Sequence, residues 1–290
     1  MPSQNVQWFP GHMARARRLL QESLPLVDAV VELRDARAPE SSRNPELGTI
    51  IGSKPRIVLL NKSDLADDGA TRRWLAFLRR EFPALAVDCR SGRGLGRFAP
   101  VVQEALRETI GKNAARGMAQ KPLRLMVVGI PNVGKSSLIN RLAGGARAQI
   151  ADKPGVTRHN QWYPAGRVGD IPIELLDTPG VLWPKFEDPS VGEKLAFLGS
   201  VKDEVFDAET LALRLLEVLR DGYPARLAER YRLDEPALAA PPWELLEAVA
   251  RRRGMLLPGG VPDSQRAAAM LLDELRAGRL GELTLDEAPQ

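Results

Sequence analysis

Short apolar runs alternate with amphipathic stretches over the first two-thirds of the chain. The runs Val27 to Leu33, Ile57 to Leu60, Leu85 to Asp88, Leu123 to Val128 and Ile171 to Leu176 predict strands. Between them, Thr71 to Phe82, Leu95 to Ile110 and Lys135 to Leu142 carry apolar residues at three- and four-residue spacing and predict helices. This alternation predicts an α/β domain with a mostly parallel, helix-covered sheet. From about Ser190 the strand pattern stops. Leu211, Leu215, Val218 and Leu219, then Leu245, Leu246 and Val249, then Ala268, Leu271, Leu272 and Leu275 recur at helical spacing. Pro224, Pro241-Pro242 and Pro258-Gly259-Gly260 punctuate them. The expected organisation is an α/β domain over residues 1–189 and a small all-helical domain over 190–290.

Composition narrows the class. A length of 290 residues suits two domains, and 44 % hydrophobic with 27 % charged residues excludes a wholly disordered chain. One cysteine, Cys89, excludes a disulfide framework and a multi-cysteine zinc site. Two histidines, His12 and His159, leave few ligands for a histidine metal centre. Met1 to Pro10 lacks the basic-then-apolar pattern of a secretory signal, and no apolar run approaches the ~20 residues that span a bilayer. A cytoplasmic protein without a membrane partner is expected. The net charge of +4 is compatible with an anionic partner. The stretch Gly111 to Arg124 holds Lys112, Arg116, Lys121 and Arg124 with no acid, and reads as a basic surface linker.

The sharpest local signal is Gly129-Ile130-Pro131-Asn132-Val133-Gly134-Lys135-Ser136, a match to G-x-x-x-x-G-K-S/T. It follows an apolar strand and opens a helix, the context that the pattern needs. The glycines let the backbone curl so that N–H groups from Asn132 to Ser137 face phosphate oxygens, and the helix N-terminus favours the negative charge. Lys135 reaches toward the β- and γ-phosphates, and the Ser136 hydroxyl is a Mg²⁺ ligand candidate. Asp177-Thr178-Pro179-Gly180 ends the strand Ile171 to Leu176. There Asp177 suits a Mg²⁺ partner, direct or through water, and Gly180 offers a backbone N–H to a γ-phosphate. Thr157, in Lys153-Pro154-Gly155-Val156-Thr157-Arg158, is the threonine that would complete the Mg²⁺ shell from a mobile loop. Both short motifs also make ordinary turns.

A guanine-specific site needs a carboxylate that accepts from guanine N1 and N2 together. Asn61-Lys62-Ser63-Asp64 supplies one at the end of the strand Ile57 to Leu60. Asp64 reads the base, Asn61 ties the loop, and the Lys62 stem lies over the base plane. Cys89-Arg90-Ser91-Gly92, after the next strand, is the place for a backbone loop supporting the base, with a contact at Cys89 or Arg90. In the usual guanine-nucleotide fold the base motif follows the phosphate loop; here it precedes it.

That rotated order resembles the circularly permuted bacterial GTPases of the RbgA/YlqF family, which assist assembly of the large ribosomal subunit. The resemblance runs over nearly the whole chain. It includes Trp8-Phe9-Pro10-Gly11-His12-Met13, Leu33-Arg34-Asp35-Ala36-Arg37-Ala38-Pro39, N-K-S-D, the phosphate loop, P-G-V-T and D-T-P-G. It implies a circularly permuted P-loop GTPase fold followed by an all-α domain, with GTP or GDP and Mg²⁺ as ligands. A leading serine usual in the loop after the base motif is absent here, where Asp88 stands.

The position after D-T-P-G, where many small GTPases place a water-orienting glutamine, is Val181. An apolar side chain cannot orient water, so His12 is the candidate, a role the resemblance supports; a purely anchoring role with Trp8 and Phe9 is the competing reading. The resemblance also implies K⁺ held partly by Asn132, with Arg15, Arg17 and Arg18 as rivals for the transition-state charge. His159 reads as a bystander, and Cys89 as an inert thiol. Contacts of the γ-phosphate at Gly180 and Thr157 are expected to act through Val181 to Glu193 on the helical domain. The expected protein is a monomeric GTPase, slow alone and stimulated by the large-subunit precursor. Its helical domain would touch ribosomal RNA through Arg226, Arg230, Arg232, Arg251, Arg252 or Arg253, unless these pair with Glu229, Asp234 or Glu247. The other reading left open is a GTP-regulated protein-interaction module with negligible turnover and no RNA partner.

Overall fold

In the computed structural model six strands form one sheet: β1 (Ala29–Asp35), β2 (Arg56–Asn61), β3 (Ala84–Ala86), β4 (Leu123–Gly129), β5 (Gln161–Val168) and β6 (Ile171–Asp177). The structure describes residues 10–145, 161–180, 188–201 and 206–289. The strand order is β3-β2-β1-β4-β6-β5, with every pairing parallel except β5 against β6. The parallel strands are covered on both faces, as their apolar runs predict. On one face Val30, Met126, Val128 and Leu176 pack with Leu20 from α1 (Pro10–Ser23) and Ile50 from α2 (Leu47–Ile51). Farther along that face Val58 and Leu60 pack with Trp74 and Leu78 of α3 (Asp68–Leu78), whose start Asp67 caps by accepting from Ala70 N at 2.7 Å.

The differences from the periodicity have local causes. β1 begins at Ala29 rather than Val27, because Leu24–Leu26 forms a 3₁₀ turn that closes on Val27. The run Leu95 to Ile110 is two helices, α4 (Phe98–Ala105) and α5 (Arg107–Ala115), broken at the fully buried Leu106. Because α5 reaches Ala115 and β4 starts at Leu123, only half of the basic stretch 111–124, residues 116–122, is connection. The antiparallel strand β5 has no counterpart in the apolar pattern. Pro164 sits at a register shift in it and is exposed along with Gln161, Gly166 and Arg167, as an edge strand permits.

By internal contacts the chain divides into one unit of residues 1–187 with 286–290 and a second of 188–285. Residues 286–289, grouped with the helical domain by the sequence pattern, belong to the first unit. The Asp286 carboxylate accepts from Glu40 N at 2.9 Å, Ser41 N at 2.7 Å and Ser41 Oγ at 2.8 Å, and its carbonyl accepts from Trp74 Nε1 at 3.1 Å. The second unit contains α7 (Pro189–Phe197), α8 (Ala208–Gly222), α9 (Pro224–Tyr231), α10 (Glu235–Ala239), α11 (Pro242–Arg252) and α12 (Ser264–Arg276). Asp188, Asp207, Asp234 and Asp263 cap four of these helices through their side chains. Leu215, Leu246 and Leu271 are among the residues that α8, α11 and α12 bury against one another.

Candidate nucleotide site

Five loops leave the same edge of the sheet, the carboxyl ends of its parallel strands. Register places Asp35 beside Asn61, Leu33 beside Gly129 and Val127 beside Asp177. Ligands of open α/β sheets bind at this edge. The phosphate loop follows β4 and feeds α6 (Lys135–Leu142), the helix predicted from its spacing. Gly134 is its N-cap at φ +103°, and Asn132 also takes a left-handed conformation at φ +58°. A Cβ on Gly134 would overlap Asn61 Nδ2, so glycine is required by space as well as by φ.

Asn61 joins the base motif to the phosphate loop. Its Nδ2 donates to Val133 O at 2.7 Å, and its Oδ1 accepts from Cys89 N at 3.0 Å. One buried carboxamide therefore holds three loops: N-K-S-D, the phosphate loop, and the 88–92 turn. Asp88 shapes that turn by accepting from Arg90 N at 2.8 Å and Ser91 N at 3.2 Å, and Arg141 of α6 donates to Arg90 O. The loop expected to support the base through Cys89 or Arg90 is thus held from within, with Cys89 N donating to Asn61 and Arg90 N to Asp88. Burial pushes the Cys89 thiol up to about 12, aided by the charges of Asp88 and Asp64, as an inert thiol requires. Ser63 N donates to Val87 O at 3.2 Å, while Asp64 is half-buried and near enough to Lys62 for its charge to act there.

At the phosphate end, Lys135 is buried and donates to Gly129 O at 3.1 Å and Ile130 O at 2.9 Å. Burial pulls its ammonium down to about 8, against the opposing pull of Asp177. Ser136 and Ser137 lie half-buried in the first turn of α6. Thr178 Oγ1 donates to Val127 O at 2.6 Å and sets the turn after β6. A Cβ on Gly180 would stand 2.9 Å from Pro131 N and 3.1 Å from Lys135 Nζ, so D-T-P-G lies directly against the phosphate loop. Among the described residues no three His, Cys, Asp or Glu side chains converge as a metal cage. An ion beside Ser136 and Asp177 would draw its other ligands from phosphate and water, which suits Mg²⁺. Thr157, His159 and Val181 lie outside the described residues. His12 falls in α1 by its backbone, and its side chain lies outside them too.

One residue noted only within the run Leu33 to Pro39, with no role assigned, belongs to the site. Asp35, at the end of β1, forms an ion pair with Lys62 Nζ at 3.0 Å and takes the Arg37 guanidinium on both oxygens at 2.9 Å. Burial works against its charge, but Arg37 and Lys62 hold its carboxyl well below the usual carboxylate range. The signal in the sequence was a run of charged residues, Glu32, Arg34 and Asp35, in a strand that is buried throughout.

This geometry frames the similarities to known proteins. A family model described as "50S ribosome-binding GTPase" matches residues 124–223. It opens on β4 and leaves Asn61 to Asp64 outside, as a rotated order of parts requires. A Priestia megaterium protein named ribosome biogenesis GTPase A is 46 % identical over 284 residues, covering 97 % of this chain and 96 % of that one. A Bacillus cereus protein of the same name is 44 % identical over 282 residues, covering 97 % and 93 %. The chain belongs to the ribosome biogenesis GTPase A family. The crystal structure of GNP-bound YlqF from T. maritima matches with a TM-score of 0.65 at 27 % identity, covering 95 % of this chain and 99 % of that one. Membership establishes the permuted GTPase fold and GTP or GDP as ligand. No helix among the described residues is long and apolar enough to cross a membrane.

Proposed function

We propose that this GTPase acts in late assembly of the large ribosomal subunit, binding its precursor RNA in one nucleotide state and leaving in the other. The observation that carries the nucleotide chemistry is Asn61, which ties the base motif to the phosphate loop at 2.7 Å. In this reading Asp64 accepts from guanine N1 and N2, and the Lys62 stem covers the base while Asp35 anchors its ammonium. N–H groups from Asn132 to Ser137 cradle the phosphates, and Lys135 exchanges two carbonyls for phosphate oxygens. Ser136, Asp177 and Thr157 would hold Mg²⁺, which would supply neutralisation of the phosphate charge. Gly180 donates its N–H to the γ-phosphate, so loss of that group releases the turn that leads into the helical unit.

Val181 cannot hold the attacking water, and His12 takes that role, with Asn132 contributing to a K⁺ site that offsets transition-state charge. The test is GTP turnover with and without purified large subunits, in K⁺ and in Na⁺ buffers. The reading requires stimulation by subunits, a rate higher in K⁺, and a stimulated rate at least about tenfold lower in His12→Ala, since acid–base groups commonly contribute ~10²–10⁴. Unchanged turnover with subunits would instead leave a nucleotide-regulated interaction module.

A further inference from the structure

The loop after β1 is held from two sides. Ser41 and Ser42 lie side by side in it, and both are buried. Ser42 Oγ accepts from Asp35 N at 2.9 Å and donates to Ala38 O at 2.6 Å, which closes the loop on the end of its own strand. Ser41 bonds to the far end of the chain. Its N and Oγ, together with Glu40 N, all donate to the buried Asp286 carboxylate at 2.7 to 2.9 Å. The Asp286 carbonyl is fixed in turn by the indole of Trp74, which is fully buried in α3. Hydrogen bonds to a carboxylate are about twice as strong as those between neutral groups, so this acceptor is a firm anchor for the loop.

The same loop begins at the residue that anchors the base motif. Asp35 pairs with Lys62 Nζ at 3.0 Å and accepts from Arg37 N at 3.1 Å. Lys62 stands at φ +60°, a conformation that a side-chain-bearing residue keeps only where its surroundings impose it. Bonds and adjacent residues therefore connect Asp286 to Ser41, Ser42, Asp35 and Lys62 without a gap.

On its other side Asp286 follows Leu285, the last residue of the helical unit. Thr284 is fixed inside that unit: its N donates to Tyr223 OH at 2.8 Å, and its carbonyl accepts from the same hydroxyl at 2.9 Å. Leu285 is thus the one residue between an anchor in the helical unit and an anchor in the nucleotide unit.

We propose that Asp286 is a positioning residue for guanine binding: by fixing the loop at Glu40 and Ser41 it sets Asp35, and through Asp35 it sets Lys62 over the base. This rests on the reading of N-K-S-D as the base motif. It also gives the helical unit two attachments of different kind. The chain enters that unit after D-T-P-G, which answers to the γ-phosphate, and leaves it at Asp286, which answers to the base. The base is common to GTP and GDP, so the second attachment is a fixed pivot while the first one switches.

The experiment compares binding of GDP and of tripolyphosphate, each with Mg²⁺, by calorimetry on the full chain as wild type, Asp286→Ala, Lys62→Ala and the double variant. Asp286→Ala should raise the GDP Kd at least about fivefold, the lower end of coupling between separate sites, and leave tripolyphosphate binding unchanged. Lys62→Ala should also weaken GDP, and adding Asp286→Ala to it should cost little more, because the effect passes through that lysine. Asp286→Asn still offers an oxygen to Glu40 N and Ser41 N and an N–H to Ser41 Oγ, and should bind GDP as wild type does. Coupling is reciprocal, so GDP and a non-hydrolysable GTP analogue should slow hydrogen exchange in residues 38–44 equally, and tripolyphosphate should not. Melting temperatures show that each variant is folded. A folded Asp286→Ala with wild-type GDP affinity, beside a weakened Lys62→Ala, overturns the positioning role and leaves the base reading intact. Equal losses for GDP and tripolyphosphate, or losses that add in the double variant, make Asp286 a general staple of the fold and overturn the role as well. Unchanged GDP affinity in Lys62→Ala overturns the base reading, and the proposal with it.

Discussion

Truncating Asn61 separates the two halves of the nucleotide site without touching a group that contacts nucleotide through its side chain. Asn61→Ala removes the donor to Val133 O at 2.7 Å and the acceptor from Cys89 N at 3.0 Å. Both partners are left without a bond in a largely enclosed place. A buried orphan costs ~1–3 kcal/mol, so two cost ~2–6 kcal/mol. The site opens at the sheet edge, and water can recover part of this, which places the loss near ~2–4 kcal/mol. The loss falls on the relative placement of base loop and phosphate loop, and so on nucleotide affinity, where it corresponds to a GDP Kd raised about 30- to 1000-fold. Titration with a fluorescent GDP analogue, checked by calorimetry, measures it, and thermal unfolding reports whether the variant is folded. Asn61→Asp keeps the acceptor for Cys89 N but turns a carboxylate oxygen toward Val133 O, and should bind no better than Asn61→Ala. A folded Asn61→Ala that binds GDP within about threefold of wild type would show that the loops work independently.

Three further outcomes follow from the geometry. With Lys135 at about 8 before nucleotide binds and held protonated by phosphates afterwards, GDP affinity should fall about tenfold per pH unit above pH 8; a profile flat to pH 9.5 would contradict this. The nucleotide-free fold moves the opposite way, gaining stability from this lysine as pH rises from about 8 toward its unfolded value of ~10.5, as melting temperatures would register. Gly134→Ala places a methyl group on Asn61 Nδ2 at a φ of +103° and should raise the GDP Kd at least about 30-fold, read by the same titration. Asp35→Asn strands Arg37 and Lys62 without their carboxylate and should cost ~3–5 kcal/mol in urea unfolding. In wild type the stabilisation from Asp35 is complete above the ordinary carboxylate range near ~3.9 and is lost as acid protonates the folded form.

The parts of the site that depend on neighbouring residues were legible in the sequence. Gly134 and Lys135 announce their turn and helix because a left-handed N-cap and an N-terminal anion cradle are local demands. The strand before Asn61 made N-K-S-D more than a chance string. Contacts between distant segments were not legible. Asp35 meets Lys62 only because β1 and β2 pair in register, and Arg230 meets Glu274 only once α9 lies against α12. Among the arginines of the helical unit Arg251 pairs with Glu247, one turn away, whereas Arg230 and Arg253 pair with Glu274, far from them in sequence. β5 hid behind Pro164 and Gly166, and the break at Leu106 carries neither proline nor glycine to mark it. The return of Asp286 to the loop at Ser41 depends on a fold that no local pattern encodes.

The most direct measurement is the base preference of Asp64→Asn. Xanthine carries an oxygen where guanine carries its amino group, so a carboxamide at position 64 offers a donor to the former and removes an acceptor from the latter. The account predicts that the variant loses at least about a hundredfold in GTP affinity and prefers xanthosine triphosphate, with the phosphate loop still engaged. Retention of wild-type preference for GTP over xanthosine triphosphate would mean that Asp64 does not face the base, and that N-K-S-D and the phosphate loop do not serve one nucleotide.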